Sequence, residues 1–302
     1  MADSDIRTQT FGTLLTAMVT PFTKDGEVDY EAAGQLAAKL VDDGCDGLVV
    51  TGTTGETSTL TDEENLGMFK AVLEAVGGRA KVIAGTGTND TRHSISLSRR
   101  AAELGVDGLL IVTPYYNKPS QTGVQAHFEA IASATELPVM LYDIPGRSGI
   151  PIATETILRL AEHPNIQGLK DAKADFASIT RVLAKSDLAV YSGDDGLTLP
   201  WMAAGALGVV SVTAHVVTKQ FRALVDAALA GDFATARKIH FELDPVIRGI
   251  MTRVQGAVAT KQVLTWQGIL PTSTVRLPLV EPNDAELALI RADLAEAGMD
   301  FA

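Results

Sequence analysis

GVDGLLIVTP, at residues 105–114, contains one complete junction between a helix and a buried strand. Its plan is Gly-x-x-Gly followed by an apolar run and a threonine, and it occurs again as GCDGLVVTG at 44–52 and GALGVVSVTA at 205–214. In each copy we expect the first glycine to end a helix in the left-handed conformation and the second to begin a strand. The copies are irregularly spaced, so they indicate repeated βα boundaries and not a solenoid.

Outward from these copies, short apolar runs alternate with amphipathic stretches along the chain. The predicted strands are 13–19, 47–50, 81–84, 108–112, 138–142, 166–170, 188–191 and 208–212. The predicted helices between them include 30–43, 62–76, 91–104 and 121–135. Alternating strands and helices indicate βαβ units in a parallel sheet, and strands that are apolar throughout fit a sheet covered on both faces.

Eight strands before about residue 230 favour a closed α/β barrel of the TIM (β/α)8 type over an open, doubly wound sheet. Beyond Gly231 the pattern is purely helical, over 233–251, 257–267 and 284–297. We therefore predict a flexible N-terminal tail at 1–11, a catalytic barrel at 12–231 and a C-terminal helical extension at 232–302.

The composition excludes several classes of protein. The chain of 302 residues has 37 acidic against 25 basic side chains, a net charge of −12, which disfavours nucleic acid as a partner. No apolar run approaches the ~18 residues of a membrane span, and the polar first residues lack the apolar core of a signal peptide. We expect a soluble, cytoplasmic protein whose single cysteine, Cys45, is a small buried hydrophobe.

Chemistry in such a barrel lies at the carboxyl ends of the strands, and the sixth predicted strand ends on Lys170. An amine partly desolvated at that position has a lowered pKa, and the free amine can attack a carbonyl carbon. The alternative is a lysine paired with Asp171 or Asp194. Position alone does not separate these two interpretations.

Other polar residues follow the neighbouring strands. Tyr142 ends the fifth strand, where a phenol could transfer protons beside the lysine or merely pack. Thr53 and Thr54 lie between two glycines, which suits the binding of a small carboxylate, although a turn before a capped helix is the simpler interpretation. Arg147 lies in a Pro-Gly-Arg-Ser-Gly loop and could be a carboxylate clamp or a solvated arginine.

Together these motifs resemble the dihydrodipicolinate synthase family, within the pyruvate-lyase group that includes N-acetylneuraminate lyase. The resemblance covers the chain from Gly12 onward, and no single motif would carry it alone. The motifs are GTTGE at 52–56, TPYYNKPSQ at 113–121, YDIPGRSG at 142–149, GLKDA at 168–172 and SGDD at 192–195.

The resemblance implies a role for each matching residue. Lys170 forms an imine with pyruvate and Tyr142 transfers protons, relayed by Thr53 to Tyr116, which reaches in from a partner subunit. Thr54 helps to hold the pyruvate carboxylate, Arg147 binds the carboxylate of aspartate semialdehyde, and Gly193 and Val210 contribute main-chain groups nearby. No cofactor or metal is implied.

By the same resemblance the product is 4-hydroxy-tetrahydrodipicolinate, in lysine and diaminopimelate biosynthesis, and the assembly is a homotetramer built from two tight dimers. One departure from the family concerns feedback inhibition by lysine. Where inhibited members have histidines and an acid, this chain has Asp62, Asn65 and His93, although Asn89 and Tyr115 remain. We therefore predict weak or absent lysine inhibition.

Several alternatives are weaker. GTGTND at 85–90 lacks the third glycine of a dinucleotide loop. The five histidines, at 93, 127, 163, 215 and 240, have no ligand spacing and are predicted to be capping or surface residues. Two rival functions remain: a related aldolase acting on N-acetylneuraminate or a keto-deoxy sugar acid, and a non-catalytic barrel that senses pyruvate. Arg147 argues against the first, and the combination of Lys170, Tyr142 and Thr53 against the second.

Overall fold

The computed structural model describes residues 10–301 and contains a closed barrel of eight parallel strands. Each strand pairs with the next along the chain, and the eighth pairs with the first. The strands are β1 Leu14–Ala17, β2 Gly47–Val50, β3 Lys81–Gly85, β4 Gly108–Val112, β5 Val139–Asp143, β6 Ile166–Asp171, β7 Ala189–Ser192 and β8 Gly208–Ser211. The predicted (β/α)8 barrel is confirmed.

Helices follow the strands and cover the outside of the barrel. They are α1 Tyr30–Asp42, α2 Asp62–Val76, α3 Thr91–Leu104, α4 Gln121–Ala132, α5 Pro145–Ser148, α6 Thr154–Leu160, α7 Phe176–Lys185, α8 Thr198–Ala203 and α9 Ala214–Leu229. Three further helices, α10 Phe233–Met251, α11 Gly256–Trp266 and α12 Asp284–Glu296, form the predicted C-terminal extension. No helix within residues 10–301 is long and apolar enough to cross a membrane.

Both glycines of the repeated Gly-x-x-Gly plan behave as predicted. Gly44, Gly105 and Gly205 have φ values of +115°, +85° and +112°, in the region that side chains with a Cβ rarely adopt. The second glycine of each copy begins β2, β4 or β8. The threonines that end the copies are buried, and two of them tie their strand to a neighbour: the Thr51 hydroxyl donates to Gly85 O at 3.4 Å and that of Thr113 to Tyr142 O at 2.9 Å.

Phe11 closes the end of the barrel at which the strands begin. Its side chain is fully buried, and a Cβ added to Gly108 or Gly168 would lie 2.9 Å from its ring. A Cβ on Gly208 would lie 1.7 Å from Thr13 O. Gly108 and Gly208, which begin β4 and β8, and Gly168 within β6 therefore leave room for the segment from Phe11 to Thr13 that fills this end of the barrel. Phe11 therefore belongs to the packed barrel and not to a tail; residues 1–9 of the predicted tail lie outside the described residues.

For two of the five histidines, the prediction that they lie at helix caps or on the surface was wrong. His215 is fully buried: Val19 N–H donates to its Nε2 at 3.1 Å, so Nδ1 carries the proton and donates to Val212 O at 2.7 Å. His127 is buried between helices, with its Nδ1 2.9 Å from the Thr91 hydroxyl. Burial lowers the pKa of both imidazoles to about 4, and a neutral ring with such partners can be buried.

Candidate active site

Lys170 lies at the carboxyl end of β6, directly opposite Tyr142 of β5 in the strand register. Only 4% of the residue is exposed, and Nζ lies 4.1 Å from the centroid of the Tyr142 ring. Burial lowers the pKa of the Lys170 amine from 10.5 to about 8; the Asp195 carboxylate opposes this shift and Arg147 adds to it. The carboxylate acting on Lys170 is therefore Asp195, and not Asp171 or Asp194 as weighed from the sequence.

Tyr142 is a buried phenol that stays protonated at neutral pH. Burial raises its pKa to about 12, while Arg147 and a hydrogen bond with the Thr53 side chain act in the opposite direction. Thr53 begins a 3-10 turn, Thr53–Gly55, that follows β2, and Thr54 is buried in the same turn. The Tyr142 phenol therefore lies between the Lys170 amine and the Thr53 hydroxyl. The three groups come from the carboxyl ends of β5 and β6 and from the turn after β2.

A cavity of about 310 Å³ opens beside these groups. Thr53, Tyr142 and Arg147 line it together with Tyr115 and Tyr116. Arg147 is exposed on the short helix α5, and its guanidinium is close enough to influence both ionisable groups of the site. Among residues 10–301, the cavity therefore combines an apolar wall with one basic side chain, that of Arg147, which suits a small anionic substrate.

A larger concavity of about 670 Å³ lies at the other end of the barrel, where the strands begin. Its basic residues are occupied: Lys81 pairs with Asp107 at 3.0 Å and Arg222 with Asp46 at 2.9 Å. Because reacting groups of such barrels gather at the carboxyl ends of the strands, the smaller cavity is the candidate active site.

Tyr116 lies at the rim of the cavity, where little of the same chain covers it. It is 89% exposed, and its φ of +72° is unusual for a residue other than glycine. Its neighbour Tyr115 is half-buried in the wall of the cavity. The chain itself therefore leaves most of the Tyr116 side chain uncovered.

Gly193 lies directly against the lysine. A Cβ added there would be 3.1 Å from Lys170 Cγ and 3.0 Å from Asp171 O, so a side chain would displace the amine. Val210 is buried in β8, opposite Leu15 of β1. Its predicted main-chain contact with substrate stays a prediction.

Asp195 is a residue whose importance the sequence analysis missed. Its Oδ2 accepts hydrogen bonds from Thr213 N at 2.9 Å, Thr213 Oγ1 at 2.8 Å and Val212 N at 3.2 Å. Burial raises the pKa of Asp195, and these donors oppose the shift. In the sequence, Asp195 is the last residue of the SGDD motif, and no role was assigned to it; the signal that could have singled it out is the threonine at 213, which ends the third copy of the glycine plan.

Asp143 and Asp171 extend β5 and β6 by one residue beyond the predicted ends and are paired in the register. Because alternate residues of a strand face opposite sides, they point away from the lumen that Tyr142 and Lys170 face. Asp143 accepts from Ile152 N at 3.1 Å and lies 3.5 Å from Lys173 Nζ. These acids anchor the loops behind the site.

A buried amine of lowered pKa at the mouth of a parallel barrel, stacked on a phenol, defines a lyase of the class I aldolase type. A sequence model of the Dihydrodipicolinate synthetase family matches residues 10–297. The chain belongs to this family.

Individual relatives agree with this membership. The chain is 55% identical to the 4-hydroxy-tetrahydrodipicolinate synthase of Kineococcus radiotolerans over 289 residues, which cover 96% of this chain and 94% of that protein. It is similar to the crystal structure of dihydrodipicolinate synthase from Aquifex aeolicus, with a TM-score of 0.93, 38% identity and coverage of 96% and 99%. The structure of the Cyanidioschyzon merolae enzyme with lysine bound gives a TM-score of 0.93, 41% identity and the same coverage.

Proposed function

We propose that this chain condenses pyruvate with L-aspartate 4-semialdehyde to form 4-hydroxy-tetrahydrodipicolinate, the reaction for which its relatives are named. The observation that carries the proposal is the buried amine of Lys170, which lies over the Tyr142 ring. Its pKa is lowered to about 8. An amine of that pKa is partly unprotonated near neutral pH and can add to a ketone. In this proposal the product serves lysine and diaminopimelate synthesis.

The proposed reaction uses Lys170 as the nucleophile. Its amine adds to the carbonyl carbon of pyruvate and expels water, which leaves an iminium linked to the chain. Loss of a methyl proton gives an enamine, whose carbon attacks the aldehyde of the second substrate. The amino group of that substrate then attacks the imine carbon, which closes the ring and releases the lysine amine. One water molecule is produced overall, and no redox step is needed.

Tyr142 is the proposed proton-transfer residue. A phenol with a pKa of about 12 is a proton donor at neutral pH. After it has donated its proton, a relay must return a proton to the phenolate before the next cycle. The hydrogen bond between Thr53 and Tyr142 supports Thr53 as the proposed relay. We propose that Tyr116 of a neighbouring subunit completes it.

Two carboxylate sites follow from the substrates. Thr54 and the backbone of its turn are proposed to hold the pyruvate carboxylate, close to the lysine. Arg147, the exposed cation of the cavity wall, is proposed to bind the carboxylate of aspartate semialdehyde, because a guanidinium matches that group with two parallel hydrogen bonds. Gly193 and Val210 are proposed to add main-chain contacts.

The exposure of Tyr116 supports a proposed homo-oligomer in which each site is completed by a partner. The family resemblance favours a tetramer of two tight dimers. Placement in the cytoplasm stays a prediction from the sequence, and no nucleic acid or membrane partner is proposed.

Weak or absent inhibition by lysine is also part of the proposal. His93 Nε2 lies 2.8 Å from Asp62 Oδ1, so the polar atoms of these two side chains are already paired with each other. Asn65 is buried and its side chain donates to Thr61 O at 3.0 Å. Groups already engaged in this way are poor ligands for a free amino acid. An inhibition curve that bends below millimolar lysine would contradict this part of the proposal.

Borohydride trapping tests the proposed function. Pyruvate and borohydride are expected to label Lys170 permanently, and peptide mapping identifies the site of the label. Turnover of aspartate semialdehyde is then compared with cleavage of N-acetylneuraminate. A label on another residue would end the imine proposal, and preferred cleavage of the sugar acid would change the substrate.

A further inference from the structure

A buried ion pair joins the active-site turn to the C-terminal helices. Glu56 follows the Thr53–Gly55 turn, and Lys261 lies in α11, 205 residues later in the chain. The two side chains are 1% and 0% exposed, and Lys261 Nζ contacts Glu56 Oε1. Charged groups are rarely buried this completely unless they are paired, so each depends on the other.

The second oxygen of Glu56 is held by the same part of the chain. Arg276 N–H donates to Glu56 Oε2 at 3.0 Å, and Lys261 Nζ also donates to Thr274 O at 2.9 Å. The Arg276 guanidinium donates to Thr59 O at 2.9 Å, just beyond the turn. Both cations also lie over the ring of Phe22, with Lys261 Nζ 3.9 Å and Arg276 Cζ 4.6 Å from its centroid.

The turn itself is one that its own sequence does not favour. Glu56 has a φ of +56° and Thr51 a φ of +52°, values that residues with a Cβ rarely adopt. Such backbone persists only where surrounding contacts hold it. On the barrel side, the Thr20 hydroxyl donates to Gly55 O at 2.7 Å; on the opposite side, the contacts come from Lys261 and Arg276.

We propose that Glu56 and Lys261 are positioning residues, through which the C-terminal helices hold the turn bearing Thr53 and Thr54 at the mouth of the barrel. The inference rests on the proposed function, because it concerns the turn that would bind the pyruvate carboxylate. It gives the C-terminal extension a part in positioning the active-site turn.

A purely stabilising role would not need charges here. Burial lowers the pKa of Lys261 to about 8, and Glu56 opposes that shift. Well-packed apolar side chains commonly replace a buried ion pair without loss of stability. A charged pair has directed contacts that apolar packing lacks, and here they end on a strained turn beside the reacting groups.

The experiment compares substrate affinities in the double variant Glu56→Gln with Lys261→Met, which removes both charges and nearly preserves shape. We expect a folded protein whose KM for pyruvate rises about tenfold, because small displacements of a positioning group are costly. The KM for aspartate semialdehyde should not change, because Arg147 is on a different loop. Should the double variant fail to fold, Glu56→Gln alone, which keeps an acceptor for Lys261, is assayed in the same way.

Asp293→Asn is the matched control. Asp293 is a buried acid that binds Arg248 at 2.8 Å within the C-terminal helices and does not contact the turn. This variant should lower the melting temperature and leave both KM values unchanged. An unchanged pyruvate KM in the folded Glu56 and Lys261 variants, or an equal rise in both KM values, would overturn the inference. Failure of the wild-type protein to be labelled at Lys170 would instead overturn the proposed function.

Discussion

The reactivity of Lys170 depends on how often its amine is unprotonated. With a pKa of about 8, the free fraction falls about tenfold for each pH unit below that value. We expect the rate of imine formation with pyruvate to rise with pH and level off above about pH 8. The Asp195 charge raises the pKa of Lys170, so Asp195→Asn should move the midpoint of this curve to lower pH.

Borohydride trapping rates measured across the pH range give the midpoint directly. Asp194→Asn is the matched control, because Asp194 is exposed and caps Gly196 N at 2.9 Å without contributing to the pKa of Lys170. That variant should keep the wild-type midpoint. A midpoint that stays in place or rises in Asp195→Asn would show that the carboxylate does not act on the amine.

Arg147 is expected to serve the second substrate and not the first. Arg147→Ala removes a guanidinium from the cavity wall, so kcat/KM for aspartate semialdehyde should fall about 100-fold, the usual cost of a lost charged hydrogen bond. Trapping of pyruvate at Lys170 should change far less. Arg181→Ala, which removes a surface pair with Glu155, is the control for loss of an arginine. Equal losses in both assays would refute the assignment.

Among the elements, β4 shows how the first residue of a strand is restricted by packing against Phe11. A Cβ at Gly108 would lie 2.9 Å from the Phe11 ring, in a place where neither strand nor ring can easily shift. Gly108→Ala should therefore reduce the free energy of unfolding by about 1–3 kcal/mol, as measured by denaturant titration. Adding Phe11→Leu should recover part of that loss by opening space.

Gly34→Ala, in α1, is the comparison for this substitution. Its added Cβ would meet Ala75 Cβ at 3.5 Å and Ala71 O at 3.8 Å, both ordinary contacts, and alanine favours a helix over glycine. The variant should be as stable as the wild-type protein or more stable. If Gly108→Ala also leaves the free energy of unfolding unchanged, packing against Phe11 does not restrict the first residue of β4.

At the level of the whole molecule, the active site is expected to need two copies of the chain. Lys170→Met and Tyr116→Phe should each have little activity as pure proteins. When the two are unfolded and refolded together, mixed dimers should contain one complete site, with Lys170 from one subunit and Tyr116 from the other. We therefore expect activity to return, up to about a quarter of the wild-type value for random pairing.

Lys170→Met mixed with Tyr142→Phe is the control for this complementation. Both residues lie in one barrel, so no mixed dimer would contain an intact site and activity should not return. Complementation in both mixtures, or in neither, would place Tyr116 outside the site of a partner subunit. The oligomeric state of each refolded mixture is measured by analytical ultracentrifugation.

The sequence alone was sufficient for what neighbouring residues encode. The eight strands, the helices 62–76, 91–104 and 233–251, and the candidates Lys170, Tyr142, Thr53 and Arg147 follow from apolar runs, glycine punctuation and the residues at or after each strand end. These signals lie within a few positions of one another, and backbone preference and burial act over the same short range. The closed barrel followed from their order, because parallel strands with intervening helices have few other arrangements.

Only the tertiary structure decided which distant side chains meet. Phe11 against Gly108 and Gly168, Asp195 beneath the β8 loop, and Glu56 with Lys261 are contacts between segments that closure of the barrel brings together. No local pattern encodes such pairs, because they depend on the register of strands and on where the last helices pack. The pKa of Lys170 belongs to this second group: it is set by burial and by charges from other loops, which exist only after folding.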